Sequence, residues 1–224
     1  MPSVSRSLAG RESALADKEL SWKYAEDFVV ESPAVGTARQ HALELGLDPI
    51  SPAVGAQLAV LAAASSTHSI LEIGTGTGVS GLWLLAGAPD AVLTSIDIEL
   101  DYQQHARSAF AAGGVPANRI RLITGRAAEV LPRMNDGAYD LVFVDADETA
   151  VLDYVEHALR IVRRGGLVLV AHALWRGRVA DPARRDDTAE DFRTLLTTIA
   201  ESSAVVSSVS TAGDGLLQLV KISD

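Results

Sequence analysis

Ile70-Leu71-Glu72-Ile73-Gly74-Thr75-Gly76-Thr77-Gly78-Val79-Ser80 is the stretch around which the rest of the chain is arranged. An apolar β-type run stops at Gly74, and Gly81-Leu82-Trp83-Leu84-Leu85 carries on as a helix. Gly74 lets the chain leave the strand tightly. Gly76 and Gly78 strip side chains from the turn, so a ligand can come close to the backbone. The turn opens a helix whose free N–H groups can face a polar ligand. Glu72 is the unusual residue, a carboxylate near the end of a strand expected to be covered on both faces. It needs a partner, and a ligand amine or hydroxyl would serve.

Two nucleotide-type readings compete for this turn. Gly76-Thr77-Gly78-Val79-Ser80-Gly81 satisfies the G-x-G-x-x-G dinucleotide pattern, and Asp97 follows at about the 20-residue distance of a ribose-binding acid. That register gives Glu72 and Gly74 no role. The second reading, Glu-x-Gly-x-Gly-x-Gly, is the pattern of S-adenosylmethionine-dependent methyltransferases; it uses every one of these residues and is preferred. The bland alternative is a turn of small residues with Glu72 paired inside the chain.

Composition sets outer limits. At 224 residues the chain suits one domain with an N-terminal appendage and can bury a sizeable core. A net charge of −10 argues against nucleic acid or an anionic membrane as the main partner. With no cysteine there is no disulfide, thiolate catalyst or thiolate metal site. The apolar run Leu58 to Ala64 is too short to span a bilayer, and no secretory signal pattern opens the chain. The expected location is cytoplasmic.

Residues 1–10 are small and polar and are expected to be a flexible N-terminus; residues 11–48 carry two helices, about Glu12 to Val30 and Ala34 to Leu45, that serve as a lid, a subunit contact or both. From residue 49 to 224 a sheet pattern repeats. Ser51 caps a helix with Pro52 at its first position. Strands are expected at Ser69–Ile73, Val92–Asp97, Arg119–Ile123, Tyr139–Val144 and Leu167–Ala171, each separated by helical stretches. Arg163-Arg164-Gly165-Gly166 is expected to end the helix begun near Thr149. After a polar, arginine-rich loop and a helix, Ala204–Thr211 and Leu216–Ile222 flank so short a turn that they must pair antiparallel. The expected fold is therefore α/β: a doubly wound, mostly parallel seven-stranded sheet closed by an antiparallel C-terminal hairpin, which is Rossmann-like in its methyltransferase form.

Six stretches converge on a family. Pro49-Ile50-Ser51-Pro52, the glycine loop with Glu72, Thr94-Ser95-Ile96-Asp97-Ile98, Gly125-Arg126-Ala127, Val144-Asp145-Ala146-Asp147 and Leu174-Trp175-Arg176-Gly177-Arg178-Val179 stand in order. Together they resemble the bacterial class I O-methyltransferases that include the catechol and caffeoyl-CoA enzymes. The resemblance implies that Glu72, Gly74, Thr75 and Ser80 hold the methionine part of S-adenosyl-L-methionine, with Ile50 closing over it. Asp97 would take the ribose hydroxyls, Ile98 would pack on the adenine, and Arg126 and Ala127 would meet its edge; Asp145 and Asp147 complete the cofactor list. It also implies a small hydroxylated, aromatic acceptor and a homodimer.

The chemical half departs from the family. There, an aspartate at the Asp145 position binds magnesium together with an Asp-Asn pair at the end of strand five; here that pair reads Ala171-His172. Glu148 replaces a common lysine and Val151 a frequent tyrosine. Asp145 remains as the one candidate ligand for a divalent metal. His172 is the candidate general base, with Asp145 or Asp147 to orient it; the plainer reading is a hydrogen-bonded strand-end histidine. Asp147 and Glu148 are equally suited to capping the next helix. His41, His68, His105 and His157 are expected to be surface residues without companions. Two functions fit the whole: an active S-adenosylmethionine-dependent O-methyltransferase, or a catalytically impaired sensor that binds the same cofactor.

Overall fold

Residues 16–223 are described by the structure, a computed structural model. The expected flexible stretch 1–10 and the start of the first expected helix lie outside them.

The strands are β1 (Ser69–Ile73), β2 (Val92–Asp97), β3 (Ile120–Thr124), β4 (Tyr139–Val144), β5 (Val162–Val170), β6 (Val205–Ser210) and β7 (Leu216–Lys221), in the order β3-β2-β1-β4-β5-β7-β6. The first five run parallel, and β7 lies antiparallel between β5 and β6. Strands are added outward from β1 in opposite directions, to β2 and β3 on one side and to β4 and β5 on the other, and this switch in order opens a crevice beyond the strands' carboxyl ends.

Burial follows the two-residue period of a strand. Ile70, Leu141, Phe143 and Leu169 face one layer, and Leu71, Ile73, Val142, Val144, Val168 and Val170 face the other. The first layer is built by α2 (Pro33–Glu44), α3 (Pro52–Ala64), α4 (Val79–Gly87) and α5 (Leu100–Ala112). The second is built by α6 (Ala127–Val130), α7 (Val151–Ile161) and α8 (Asp187–Glu201). Ser32 and Ser51 cap α2 and α3 with Pro at the first helical position, as their sequence pattern requires.

One helix, α1, covers residues 16–27 and stands largely clear of both layers. Its anchor is Glu26, which accepts from Ser51 Oγ at 2.8 Å and from Ala53 N at 2.9 Å at the start of α3.

Two expectations need correction. Helix α7 ends at Ile161, just ahead of Arg163-Arg164-Gly165-Gly166 as expected, but the strand expected from Leu167 begins at Val162, so this stretch lies inside β5. Val162 pairs with Tyr139, and the register then shifts before Leu141 meets Leu167. Gly165 at φ +75 absorbs the irregularity. His41 and His105 are also not companionless: their rings lie 5.1 Å apart across the α2–α5 contact.

Candidate active site

A cavity of about 530 Å³ opens at the carboxyl ends of β1, β2, β4 and β5. It is lined by Ile50, Gly74, Thr75, Ser80, Asp97, Ile98, Arg126, Ala127, Asp145, Asp147 and His172. The six sequence stretches are thus gathered on one rim, as the topology demands.

The floor is set by close backbone approach. Gly74 has φ +98, and a Cβ there would lie 1.8 Å from the Asp145 carbonyl oxygen, so no side chain is tolerated where β1 and β4 end. Asp97 turns back onto the same loop. Its Oδ2 accepts from Thr75 N and Gly76 N, both at 2.9 Å, and its Oδ1 accepts from Glu99 N at 2.9 Å. A carboxylate offers about four lone-pair sites, so Asp97 shapes the loop and keeps capacity for a ligand hydroxyl.

Glu72 is placed differently from the sequence expectation. It is fully buried, lies beneath the loop and does not line the cavity. Ser80 Oγ donates to Oε1 at 2.6 Å and Ser95 Oγ to Oε2 at 2.5 Å. Burial pushes its carboxyl up to about 8 against those two hydroxyls, and the charges of Asp145 and Asp97 add to the rise. The partner Glu72 requires is therefore internal, and the Ser80 hydroxyl is committed to it. Thr75 Oγ1 continues the chain to Ser95 Oγ at 2.7 Å and receives Gln103 Nε2 at 3.3 Å.

Arg39 fixes another wall. It grips Glu31 through two nitrogens and donates from Nη1 to the Ile50 carbonyl at 2.7 Å, holding the segment that carries Ile50.

The far end holds His172. Its Nε2 lies 3.4 Å from Asp145 Oδ1 and its Nδ1 3.4 Å from Asp214 Oδ2. Burial opposes charge on this ring, but the hydrogen bonds and charges of Asp145 and Asp214 push it up to about 10. Both ring nitrogens are turned to carboxylates, an arrangement that favours protons on both. The expected general base is thus held as a donor. Asp147 accepts from Thr149 N at 3.1 Å and Thr149 Oγ1 at 2.7 Å, capping the turn ahead of α7, so it does not orient His172.

The donor set does not fit magnesium, which requires near-octahedral oxygen ligands. Asp145 has beside it the methyl group of Ala171 and an imidazole already bridged to carboxylates. Among the described residues no group of three or more His, Asp or Glu is arranged to hold a metal ion.

Sequence reasoning gave no role to several lining residues. Tyr102 and Tyr154 reach the cavity from α5 and α7, and Asp48, Trp175 and Arg176 from loops. The tyrosines carry no local signal. Trp175 and Arg176 lie within a quoted motif, and their unusual backbone, φ +45 and +53, becomes visible only in three dimensions. Such left-handed residues cost about 1–3 kcal/mol each and persist where surroundings impose them.

Comparison with known proteins meets this geometry. The O-methyltransferase family profile matches residues 24–222. A Mycobacterium marinum relative, provisionally named an O-methyltransferase, is 44% identical over 204 residues, 91% of each chain. A Corynebacterium glutamicum protein of known structure superposes with a TM-score of 0.84 at 29% identity, covering 93% of this chain and 98% of its own. The Streptomyces achromogenes O-methyltransferase TomG, of tomaymycin synthesis and solved with S-adenosylmethionine, gives 0.77 at 31% identity over 89% and 94%. The profile spans both the cofactor-type loop and the C-terminal hairpin, a pairing that the dinucleotide reading does not account for. The chain belongs to the O-methyltransferase family.

Proposed function

We propose that this O-methyltransferase transfers the methyl group of S-adenosyl-L-methionine to a hydroxyl of a small aromatic acceptor. The observation that carries the reading is the single cavity in which the Gly74–Gly76 loop and Asp97 lie at one end and the Asp145–His172 pair at the other. Gly74, Thr75 and the start of α4 at Ser80 hold the methionine part, with Ile50 over it. Asp97 accepts the ribose hydroxyls, Ile98 packs on the adenine, and Arg126, Ala127 and Asp147 border it. Glu72 acts from beneath by bracing Ser80 and Ser95.

The acceptor hydroxyl lies against Asp145. As its oxygen bonds to the methyl carbon, the hydroxyl proton becomes strongly acidic, so a carboxylate is base enough to take it. Bound S-adenosylmethionine would supply the methyl carbon and, as that carbon's bond to sulfur breaks, would leave as the neutral thioether, while Asp145 takes the hydroxyl proton; alignment with exclusion of water supplies much of the rate. Trp175 and Tyr154 offer aromatic surface for a flat acceptor.

We further propose a homodimer formed through residues 11–48, with 49–224 as the catalytic domain, and a cytoplasmic location. No described helix is long and apolar enough to cross a membrane.

The test is product formation from labelled S-adenosylmethionine across a panel of phenols and catechols, with calorimetry for the cofactor and for NAD. Methylated phenol is expected, with cofactor binding and none of NAD. Tight cofactor binding without turnover on any acceptor would favour the sensor, and tight NAD binding would overturn the cofactor assignment.

A further inference from the structure

Asp214 belongs to none of the motifs and does not line the cavity, yet it ties three parts of the site together. It lies in the turn between β6 and β7, and its neighbours fix that turn by contact. A Cβ on Gly213 would meet Ser51 Oγ at 2.8 Å, and one on Gly215 would meet the Leu174 side chain at 2.5 Å. Asp214 Oδ2 faces His172 Nδ1, and Oδ1 accepts from Arg176 N. Its carbonyl accepts from Leu174 N at 3.0 Å, and the next carbonyl, Gly215, accepts from Ala173 N at 3.1 Å.

These bonds hold a loop that would not otherwise keep its shape. His172 has φ +55, and Trp175 and Arg176 share the left-handed region. The side chains of His172, Asp145 and Asp214 are 15%, 20% and 22% exposed, so their contacts are shielded from water. A neutral imidazole can donate from only one nitrogen. A ring set between two carboxylates is suited to carry both protons.

We propose that Asp214 is a positioning residue that fixes His172 as a bridge to Asp145, and that this carboxylate–imidazole–carboxylate bridge orients the acceptor where the family resemblance implies a metal. The inference rests on the methyl-transfer reading of the cavity. Ala171 and His172 then act together: the methyl group removes a metal ligand and the imidazole supplies a cation bound to the chain. Asp214 supplies the second carboxylate that keeps it there.

The experiment uses the full chain labelled with ¹⁵N-histidine, without acceptor, near pH 7.5. The His172 ring, assigned by loss of its signal in His172→Gln, is expected to show protons on both nitrogens. In Asp214→Asn, which keeps an oxygen for Arg176 N, the ring should lose one proton while the chain stays folded, its melting temperature falling no further than that of His172→Gln. Millimolar Mn²⁺ should leave the ring signals sharp. With the phenol or catechol that the parent turns over, Asp214→Asn should lower kcat by up to about 10²-fold, the cost of a small misplacement, with cofactor affinity unchanged.

A singly protonated ring in the parent, an unaltered ring in Asp214→Asn, or selective broadening by Mn²⁺ would each overturn the bridge. An unchanged kcat in Asp214→Asn would overturn its orienting role. If the parent methylates nothing, the functional reading fails by that result, while the ring signals still decide the bridge.

Discussion

Glu72 and Ser95 stand opposite each other in the β1–β2 register, and Ser95 Oγ donates to Glu72 Oε2 across 2.5 Å. With its carboxyl pushed up to about 8, Glu72 is mostly neutral at pH 7, and in that form its own O–H donates to Ser80 Oγ across the Oε1 contact. The folded protein then holds a proton that the unfolded chain has released, so stability falls as pH rises from the ordinary carboxyl value of 4.5 to about 8. Glu72→Gln should remove that slope and keep the fold. Glu72→Ala should cost about 1–3 kcal/mol for each hydroxyl left buried without its acceptor. Urea unfolding at pH 5 and pH 8 checks both. Parent stability that is the same at the two values, after subtraction of the Gln variant, would refute the neutral acid.

Asp97 does two jobs, so its removal should be felt twice. Asp97→Ala deletes the acceptor for the Thr75, Gly76 and Glu99 amides as well as the proposed ribose contact. Hydrogen bonds to a charged group contribute roughly 1.5–3 kcal/mol each. Calorimetry should show cofactor binding weaker by well over tenfold, and thermal melting should show a lower midpoint. Loss of affinity with an unmoved midpoint would mean that the loop holds its shape without Asp97.

Asp140 and His172 should limit stability at opposite ends of the pH scale. Burial works against the Asp140 carboxylate, but Arg163 Nε and the His68 and Ser69 donors hold it down at about 2. Its contribution is complete above the ordinary value of 3.8 and is lost as pH falls through about 2. His172 has the reverse sign: its contribution is complete below 6.5 and is lost as pH rises through about 10. Asp140→Ala should reduce stability at pH 7 by about 1–3 kcal/mol and flatten the acid limb of a melting-temperature profile. His172→Gln should flatten the alkaline limb. An unchanged limb in either variant would remove that residue from the account.

What the sequence made legible was whatever is decided locally. β1, β2 and β4 fall where their apolar runs place them, and Ser51-Pro52 opens α3 because a cap and a fixed φ act over a few residues. The rim of the cavity followed from topology. The rest depends on contacts between distant segments. Glu72 announces a need for a partner but not that Ser80 and Ser95 supply it. His172 looks like a base until Asp214, 42 residues away, is brought to its second nitrogen. Arg163-Arg164-Gly165-Gly166 has the composition of a turn, and only pairing of Val162 with Tyr139 makes it part of a strand.

The Asp48–Arg176 pair joins two loops at the cavity. Arg176 Nη2 lies 2.8 Å from Asp48 Oδ2, with both side chains more than 60% exposed, at 63% and 65%. Exposed pairs of this kind contribute about 0–1 kcal/mol, so Arg176→Ala should barely shift thermal melting. Its effect should fall on the acceptor: a higher KM, and a weaker dependence of that KM on salt. Equal KM values for parent and variant at low salt would place the acceptor away from this pair.

The exposed face of α1 gives the last prediction. Leu20, Tyr24 and Phe28, spaced four residues apart, are 68%, 74% and 76% exposed along one side of α1 and its end, and Trp22 is 50% exposed on another side; the domain holds this helix mainly through Glu26. Contiguous apolar surface of this kind marks a contact with another chain, and the proposed homodimer would cover it. Fully burying one such side chain contributes about 1.5–3 kcal/mol, so Trp22→Ser or Phe28→Ser should weaken dimerisation by roughly tenfold or more. The domain itself should melt as before, since neither ring packs in its core. Light scattering at micromolar concentration should report a dimer for the parent and a monomer for the double variant. A monomeric parent would refute the dimer and leave α1 as a cover for the start of α3; a dimer untouched by both substitutions would move the interface to another face.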